Sequence, residues 1–166
     1  MNYDLLYTML NTESVSGGEI PLQKKVAAYM REAGFNVDTD KTGNVIAHIN
    51  EESAVKVLMS GHIDEIGFRV TYISENGMIH VNKAGFIRPE LMQGKRVTVL
   101  GKKRITGVMG ILLKDGNVRT DVALKDMYID CGFTTDKQAA EWIFRNVYLC
   151  IRYAGKQLHS RPRAGR

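Results

Sequence analysis

The sequence contains few of the residues on which disulfide-linked or membrane proteins depend. Among its 166 residues are two cysteines, Cys131 and Cys150, and three prolines. Two cysteines are too few for a disulfide scaffold or a four-cysteine zinc site, so we expect a protein of the reducing cytoplasm. No run approaches the ~20 consecutive apolar residues of a membrane helix, and Met1–Asp4 does not begin a signal peptide. With 44% hydrophobic and 25% charged residues, the chain should form one ordinary globular domain or two small ones.

Acidic residues are absent from the last part of the chain. The whole chain carries a net charge of +5, yet the 25 residues after Glu141 contain six basic residues and no acidic one. The basic character therefore belongs to this last segment and not to the rest of the chain. A surface that binds nucleic acid is usually basic over a whole face and interleaved with aromatic residues. We therefore expect neither a nucleic-acid partner nor a membrane partner.

The first 67 residues have the pattern of an α/β unit. Leu22, Val26 and Met30 recur at the four-residue spacing of a helix face, Pro21 suits the first helical turn, and Gly34 suits a left-handed cap. An apolar, β-branched run later in the unit predicts a buried strand. The predicted helices are Asp4–Leu10 and Pro21–Gly34, and the predicted strands are Phe35–Asp38, Asn44–Ile49 and Ala54–Met59.

From Phe68 onward the pattern changes to short strands joined by tight turns. One hairpin is predicted around Asn76-Gly77, because this dipeptide tolerates the positive φ angles of a tight turn. Such strands indicate a small β-barrel or sandwich, so we place a domain boundary near Gly67. The predicted elements are strands Phe68–Ile73, Met78–Val81, Arg96–Leu100, Arg104–Val108 and Met127–Asp130, and a helix that begins at a Thr135/Gln138 capping box and runs through Ile143.

His62 and Asp64 form a His-x-Asp pair directly after the predicted buried strand. A neutral imidazole is a good ligand for zinc or cobalt, and a nearby carboxylate can hold its other nitrogen and select the tautomer. By spacing alone, a surface histidine beside a turn carboxylate is the better interpretation. Two features favour a metal site instead. The pair ends a strand, where α/β proteins bind ligands, and Glu65-Ile66-Gly67 leads directly into the second domain.

The segment Gly61-His62-Ile63-Asp64-Glu65-Ile66-Gly67-Phe68 resembles the His-x-Asp-Glu-Ile-Gly signature of the tetrahedral aminopeptidases, also called glutamyl aminopeptidase or cellulase M. The resemblance spans nearly all of residues 1–141. It implies the first part of a zinc-peptidase α/β domain over residues 1–67, and an inserted PDZ-like β-barrel of the dimerisation type over residues 68–141. Further segments match in family order, namely Ser14–Glu19, Thr42–Ala47, Gly85–Val97, Gly107–Gly110 and Met127–Gly132.

This resemblance implies a cytoplasmic exopeptidase that removes N-terminal residues from peptides with two divalent metal ions, zinc or cobalt, and whose dimers build a dodecamer. His62 matches a metal ligand of the family, and Asp64 matches the carboxylate that orients it. The other ligands and the general base lie downstream of the matched segments. Since two-metal hydrolysis needs ions ~4 Å apart, we expect this chain to be inactive alone. The alternative function is a non-catalytic interaction and oligomerisation module built on the β-domain.

Several other residues are assigned no catalytic role. His48, His80 and His159 lack partner spacings that would make them replacement ligands. Phe86, Ile87 and Leu91 are candidates for exposed contacts, although core packing is the better interpretation. Apolar strand edges around residues 54–63 should be exposed, because the strands that would cover them in the family lie downstream. The acidic residues best explained as solvated turns are Asp38, Asp40, Glu51 and Glu52.

Residues 142–166 form a basic tail without family resemblance, in which we expect the last strands of the β-domain. Family members read Gly-Arg-Ala-Leu-Asp-Asp near the point where this chain reads Arg161-Pro162-Arg163-Ala164-Gly165-Arg166. If the codons were CGG CCG CGC GCT GGA CGA, reading one base later would encode Gly-Arg-Ala-Leu-Asp and then Asp or Glu. We therefore hypothesise a single-base frameshift or sequencing error between about Ala140 and Arg152. A natural short paralogue with an unrelated basic extension is the alternative.

Overall fold

The computed structural model describes residues 3–113, 122–143 and 147–150. The chain divides into two compact units, the first ending at Glu65 and the second beginning at Ile66. Helices and a small sheet form the first unit, whereas strands dominate the second. Among the helices described, none combines the length and the apolar character that crossing a membrane requires.

Two helices and a two-stranded antiparallel sheet make up the first unit. They are α1 (Asp4–Asn11), α2 (Ile20–Glu32), β1 (Asn36–Thr39) and β2 (Val45–His48). Leu22, Val26 and Ala27 of α2 are buried, and Leu22 and Val26 lie on one helix face because they are four positions apart. Gly34 follows the helix with a φ of +88°, as predicted for a left-handed cap. All four elements lie where the sequence pattern predicts them.

Asp40 organises the turn between β1 and β2. Its carboxylate accepts hydrogen bonds from the backbone N–H groups of Thr42 and Asn44, both at 2.9 Å. The side chains of the same two residues also donate to it, at 2.8 and 2.7 Å. These bonds, led by the one from the Asn44 side chain, lower the pKa of Asp40 to about 2. Asp40 is an exposed turn residue, as predicted.

No strand forms at Ala54–Met59, where the sequence pattern predicts a buried one. The backbone there is irregular, and the side chains of Val55, Val57, Leu58 and Met59 are 74–91% exposed. A buried parallel strand needs neighbouring strands and covering helices, but the sheet in this unit contains only β1 and β2 among the described residues. The prediction of a buried strand is therefore wrong, whereas the expected exposure of these apolar side chains is confirmed.

Six antiparallel strands close into a barrel in the second unit. They are β3 (Gly67–Ile73), β4 (Ile79–Ala84), β5 (Arg96–Leu100), β6 (Arg104–Ile111), β7 (Met127–Asp130) and β8 (Tyr148–Cys150). Their order around the barrel is β3-β4-β7-β6-β5-β8. Both predicted hairpins are present, as β3–β4 and β5–β6. Strand β8 pairs with both β3 and β5, so a segment that the sequence analysis assigned to the basic tail closes the barrel.

Alternate side chains of the strands fill the barrel, as the two-residue period of a strand requires. Ile87 is buried as well, but Phe86 and Leu91 are 78% and 61% exposed. The prediction of core packing is therefore correct for Ile87 and wrong for Phe86 and Leu91. The fully buried side chains are Phe68, Val70, Ile79, Val97, Val99, Met109, Met127, Ile129 and Leu149.

Helix α3 (Asp136–Ala140) ends three residues before the predicted end at Ile143. The backbone N–H of Gln138 donates to Thr135 Oγ1 at 3.2 Å, as a capping box requires. Gln138 Oε1, however, accepts from the backbone N–H of Thr134, so only one arm of the box forms. After Ala140 the N–H groups of Trp142 and Ile143 both donate to the Ala139 carbonyl, at 3.0 and 2.9 Å, and the Trp142 carbonyl accepts a 2.8 Å hydrogen bond from the Lys102 backbone N–H.

Candidate metal centre

His62 and Asp64 are in direct contact at the end of the first unit. His62 Nδ1 lies 2.8 Å from Asp64 Oδ1. The imidazole is 86% exposed, whereas the carboxylate is 36% exposed. An ionised carboxylate can only accept a hydrogen bond, so Nδ1 is the donor and the lone pair resides on Nε2. This is the tautomer in which Nε2 can bind a metal ion.

The second oxygen of Asp64 contacts Ser16. Ser16 Oγ donates to Asp64 Oδ2 at 2.5 Å, a short distance typical of a hydroxyl that donates to a charged acceptor. The hydrogen bonds from Ser16 and then from His62 lower the pKa of Asp64 below its usual range. The carboxylate is therefore ionised at neutral pH, with each oxygen occupied by a different donor.

A parallel β-bridge between Val15 and Glu65 places these side chains next to each other. The Glu65 N–H donates to the Ser14 carbonyl at 2.9 Å, and the Ser16 N–H donates to the Glu65 carbonyl at 3.3 Å. Ser14 adds two further bonds, from its hydroxyl to the Ile63 carbonyl at 2.8 Å and from its N–H to Glu65 Oε1 at 3.1 Å. Val15 and Ser14 are buried, so the bridge anchors the backbone on both sides of Asp64.

No individual role was predicted for Ser14, Ser16 or Glu65 from the sequence. Ser14–Glu19 was predicted to be a helix break that resembles a family segment. One pattern could have identified the serines, because Ser14-Val15-Ser16 alternates polar and apolar residues with the two-residue period of an extended strand. That period places both hydroxyls on the same side of the backbone and Val15 on the other.

The other histidines have different surroundings. His48 Nε2 on β2 lies 3.1 Å from Asp38 Oδ2. His80 on β4 stacks against Tyr72, with ring centroids 4.2 Å apart, and burial lowers the pKa of His80. His159 lies outside the described residues. Within residues 3–113, 122–143 and 147–150, no three His, Cys, Asp or Glu side chains are grouped so that they could hold a metal ion.

Among the described residues, His62 has the chemistry of one ligand for a divalent metal ion. His62 supplies an imidazole of the kind that zinc and cobalt accept, and Asp64 supplies the carboxylate that such ligands usually contact through their other nitrogen. An imidazole held by a carboxylate in the first unit, followed by a β-barrel unit, is what the family resemblance described above implies.

The chain belongs to the M42 glutamyl aminopeptidase family, whose family model matches residues 43–154. Membership of this metallopeptidase family implies dependence on divalent metal ions. The matched range continues past residue 141, where the sequence analysis ended the family resemblance. Residues 142–154 are thus similar to the family and do not belong to an unrelated tail.

Known relatives agree with this assignment. The chain is 29% identical to the lysyl aminopeptidase of Pyrococcus furiosus over 154 residues, which are 87% of this chain and 44% of that protein. The crystal structure of a TET aminopeptidase from Thaumarchaeota archaeon SCGC AB-539-E09 superposes with a TM-score of 0.82 at 27% identity, covering 89% of this chain and 43% of that one. The chain therefore spans less than half the length of these relatives.

A third relative shows the same fold. The TET1 peptidase of Pyrococcus horikoshii, which can assemble into a tetrahedron or a large octahedral shell, superposes with a TM-score of 0.78 at 24% identity. The superposition covers 90% of this chain and 46% of that one.

Proposed function

We propose that this chain carries the first part of a cytoplasmic two-metal aminopeptidase, in which His62 binds one divalent ion and Asp64 orients His62. The observation that carries the proposal is the 2.8 Å contact between His62 Nδ1 and Asp64 Oδ1 inside a chain of the M42 family. The substrates would be peptides, from which N-terminal residues are removed.

The residues of this chain have separable tasks in such a reaction. The ionised Asp64 accepts a hydrogen bond from Nδ1–H of the neutral imidazole, which leaves the lone pair of the ring on Nε2. The 86% exposed ring presents that lone pair without a change of backbone conformation. A bound zinc or cobalt ion would supply a nucleophilic hydroxide at neutral pH and polarise the peptide carbonyl.

We further propose that the chain has no peptidase activity alone. A catalytic zinc site uses ~3 protein ligands, and a two-metal site uses more, whereas the motif at residues 61–68 contributes one. The remaining ligands and the carboxylate base would come from the family region that follows the matched segments. The chain contributes one metal ligand and a rigid backbone that holds it.

A zinc or cobalt titration of the full chain tests the ligand assignment. We expect the ring ¹⁵N signals of His62 to shift on zinc addition, with no turnover of a panel of aminoacyl chromogenic substrates. His62→Ala should remove the binding. His48→Ala is the matched control, because His48 also lies beside an aspartate, at 3.1 Å, and it should leave binding unchanged.

Two results would contradict the proposal. Metal binding that survives His62→Ala would remove the ligand assignment. Turnover by the chain alone, abolished by His62→Ala, would mean that replacement ligands complete the site and that the chain is a competent enzyme.

We also propose that the second unit is the PDZ-like insert of the family and mediates assembly of dimers that build a larger shell. The supporting observation is the exposure of Phe86 and Leu91 on the barrel unit, because large exposed apolar side chains often mark protein interfaces. A non-catalytic oligomerisation module is the alternative function that the same observation favours. It predicts self-association without any metal binding at His62.

Sedimentation velocity tests this second proposal. We expect the full chain to self-associate and Phe86→Ser to shift it toward the monomer. Tyr72→Ser is the control, since Tyr72 is another partly exposed aromatic residue of the same unit. A monomeric wild-type chain, or equal effects of the two substitutions, would exclude Phe86 as an assembly contact.

A further inference from the structure

We infer that Ser16 is a positioning residue for the metal ligand, because through Asp64 it selects the tautomer and the orientation of His62. The inference rests on the proposed function, since it concerns the same imidazole. It adds a residue 48 positions away in the sequence to the pair that the motif identifies.

The Asp64 carboxylate can rotate about its terminal side-chain torsion unless both of its oxygens are held. The terminal torsion of an aspartate is broad, so a carboxylate held at one oxygen can rotate and present either oxygen or neither to its partner. His62 cannot provide the fixed end, because its own ring is 86% exposed. The fixed end must therefore lie on the other side of the carboxylate, where Ser16 Oγ contacts Oδ2 at 2.5 Å.

Ser16 is itself held from the buried side. It follows Val15, which is buried and pairs with Glu65, and its N–H donates to the Glu65 carbonyl. The contacts thus form an ordered series, from the buried bridge at Val15 to Ser16, then to Asp64 and finally to the exposed ring of His62. Each member restricts the next, so the hydroxyl of Ser16 transmits the rigidity of the backbone to the imidazole.

The order of these contacts excludes a second interpretation, in which Ser16 acts as a nucleophile. A serine nucleophile needs a histidine to accept its proton and a carboxylate behind that histidine. Here the carboxylate lies between the two, with Ser16 on Oδ2 and His62 on Oδ1. The hydroxyl proton is directed to Asp64, so His62 cannot activate Ser16 in this arrangement.

The test reads the His62 tautomer directly in the metal-free, full-length chain. Ring ¹⁵N shifts, measured at a pH at which imidazoles are neutral, distinguish protonated Nδ1 from protonated Nε2. The His62 signals are identified by their loss in His62→Ala. We expect wild type to have one tautomer, with the proton on Nδ1, and Ser16→Ala to have a mixture of both. Ser16→Thr keeps a hydroxyl and should restore the single tautomer.

Two further variants separate positioning from a general structural role. Ser53→Ala removes a serine hydroxyl of the same unit that bonds to the Val55 carbonyl and not to Asp64 or the bridge, and it should retain the wild-type tautomer. Ser16→Cys preserves the volume of the side chain but donates only weakly, so it should give the mixture even if Ser16→Ala fails to fold. Backbone amide signals of α2 establish that each variant is folded.

Zinc affinity provides a second measurement. Removing the direct partner of a metal-bound histidine usually costs ~10–100-fold in affinity, and Ser16 acts one residue further away, so we expect Ser16→Ala to weaken zinc binding about threefold to tenfold. A folded Ser16→Ala or Ser16→Cys chain that keeps the single Nδ1–H tautomer would overturn the inference. So would a Ser53→Ala chain with the same mixture. Failure of zinc to shift His62 in wild type would instead remove the proposed function, and the tautomer comparison would still decide the role of Ser16.

Discussion

Replacing Leu149 by alanine should remove a large part of the stability of the barrel. Leu149 is fully buried on β8, where it lies opposite Phe68 of β3 and Val99 of β5. The lost carbon atoms correspond to about 2–3 kcal/mol of transfer free energy at ~0.8 kcal/mol per methylene. The cavity left between two fixed neighbouring strands adds to this, so we expect a loss of about 3–4 kcal/mol in the free energy of unfolding.

Urea denaturation of the full chain, followed by the emission of Trp142, measures this loss. Trp142 is the only tryptophan and belongs to the barrel unit, where its ring centroid lies 6.5 Å from that of Phe133. The midpoint should fall while the dependence on urea concentration stays unchanged. Leu91→Ala is the matched control, because this leucine of the same unit is 61% exposed and should cost no more than about 0.5 kcal/mol.

A loss of less than about 1 kcal/mol for Leu149→Ala, or a loss equal to that of Leu91→Ala, would refute the reasoning. In that case β8 would not close the barrel in solution. The segment after Glu141 would then behave as the separate tail that its composition suggests.

Three further predictions follow from local features. In the same urea assay Gly77→Ala should cost at least about 2 kcal/mol, because its φ is +81° and an added Cβ would lie 2.8 Å from the Phe133 backbone; an unchanged midpoint would contradict this. The pKa of Asp40 in the folded state, about 2, lies below the usual 3.8, so its contribution to stability is present above about pH 3.8 and is lost as the pH falls through about 2. An NMR titration should show this pKa and its rise in Asn44→Ala, whereas an ordinary titration near 3.8 in wild type would exclude the turn contacts. The M42 match continues to residue 154, past the interval between about Ala140 and Arg152 in which the frameshift was predicted, so a shift would have to lie after that match. Sequencing the gene across codons 140–166 should reveal a one-base shift that extends the family sequence, and a natural basic extension is the conclusion if no alternative frame does so.

Local patterns were sufficient for elements whose stabilising contacts lie close together in the sequence. The spacing of Leu22 and Val26 predicted α2, and the turn residues at Gly77 and Gly101 predicted the two hairpins. The end of α3 was not predictable in this way. The segment that follows Ala140 makes a contact with a residue distant in the sequence, because the Trp142 carbonyl accepts from the Lys102 backbone N–H, and no local pattern indicates such a contact.

In the candidate site, too, some residues were identified from the sequence and one was not. His62 and Asp64 were identified from the family signature around them, whereas their two-residue spacing alone favoured an ordinary surface histidine. Ser16 was not, because the contact that gives it a role joins residues 48 positions apart. Residues 55–59 show that an apolar composition is not sufficient for burial. The composition of this run predicts a buried strand, but burial also needs neighbouring strands and covering helices.

The amino-acid sequence by itself identified the family and the His-x-Asp pair, and its change of pattern near Gly67 predicted a division into α/β and β-rich segments. Each of these features can be recognised from composition, from the spacing of apolar residues or from a short motif, because it depends on residues that lie close together in the sequence. A strand within the basic segment was expected, but only the tertiary structure decided that β8 closes the barrel between β3 and β5 and that Ser16 donates to Asp64 Oδ2. Both depend on which distant segments lie side by side, and this is set by the packing of the whole chain.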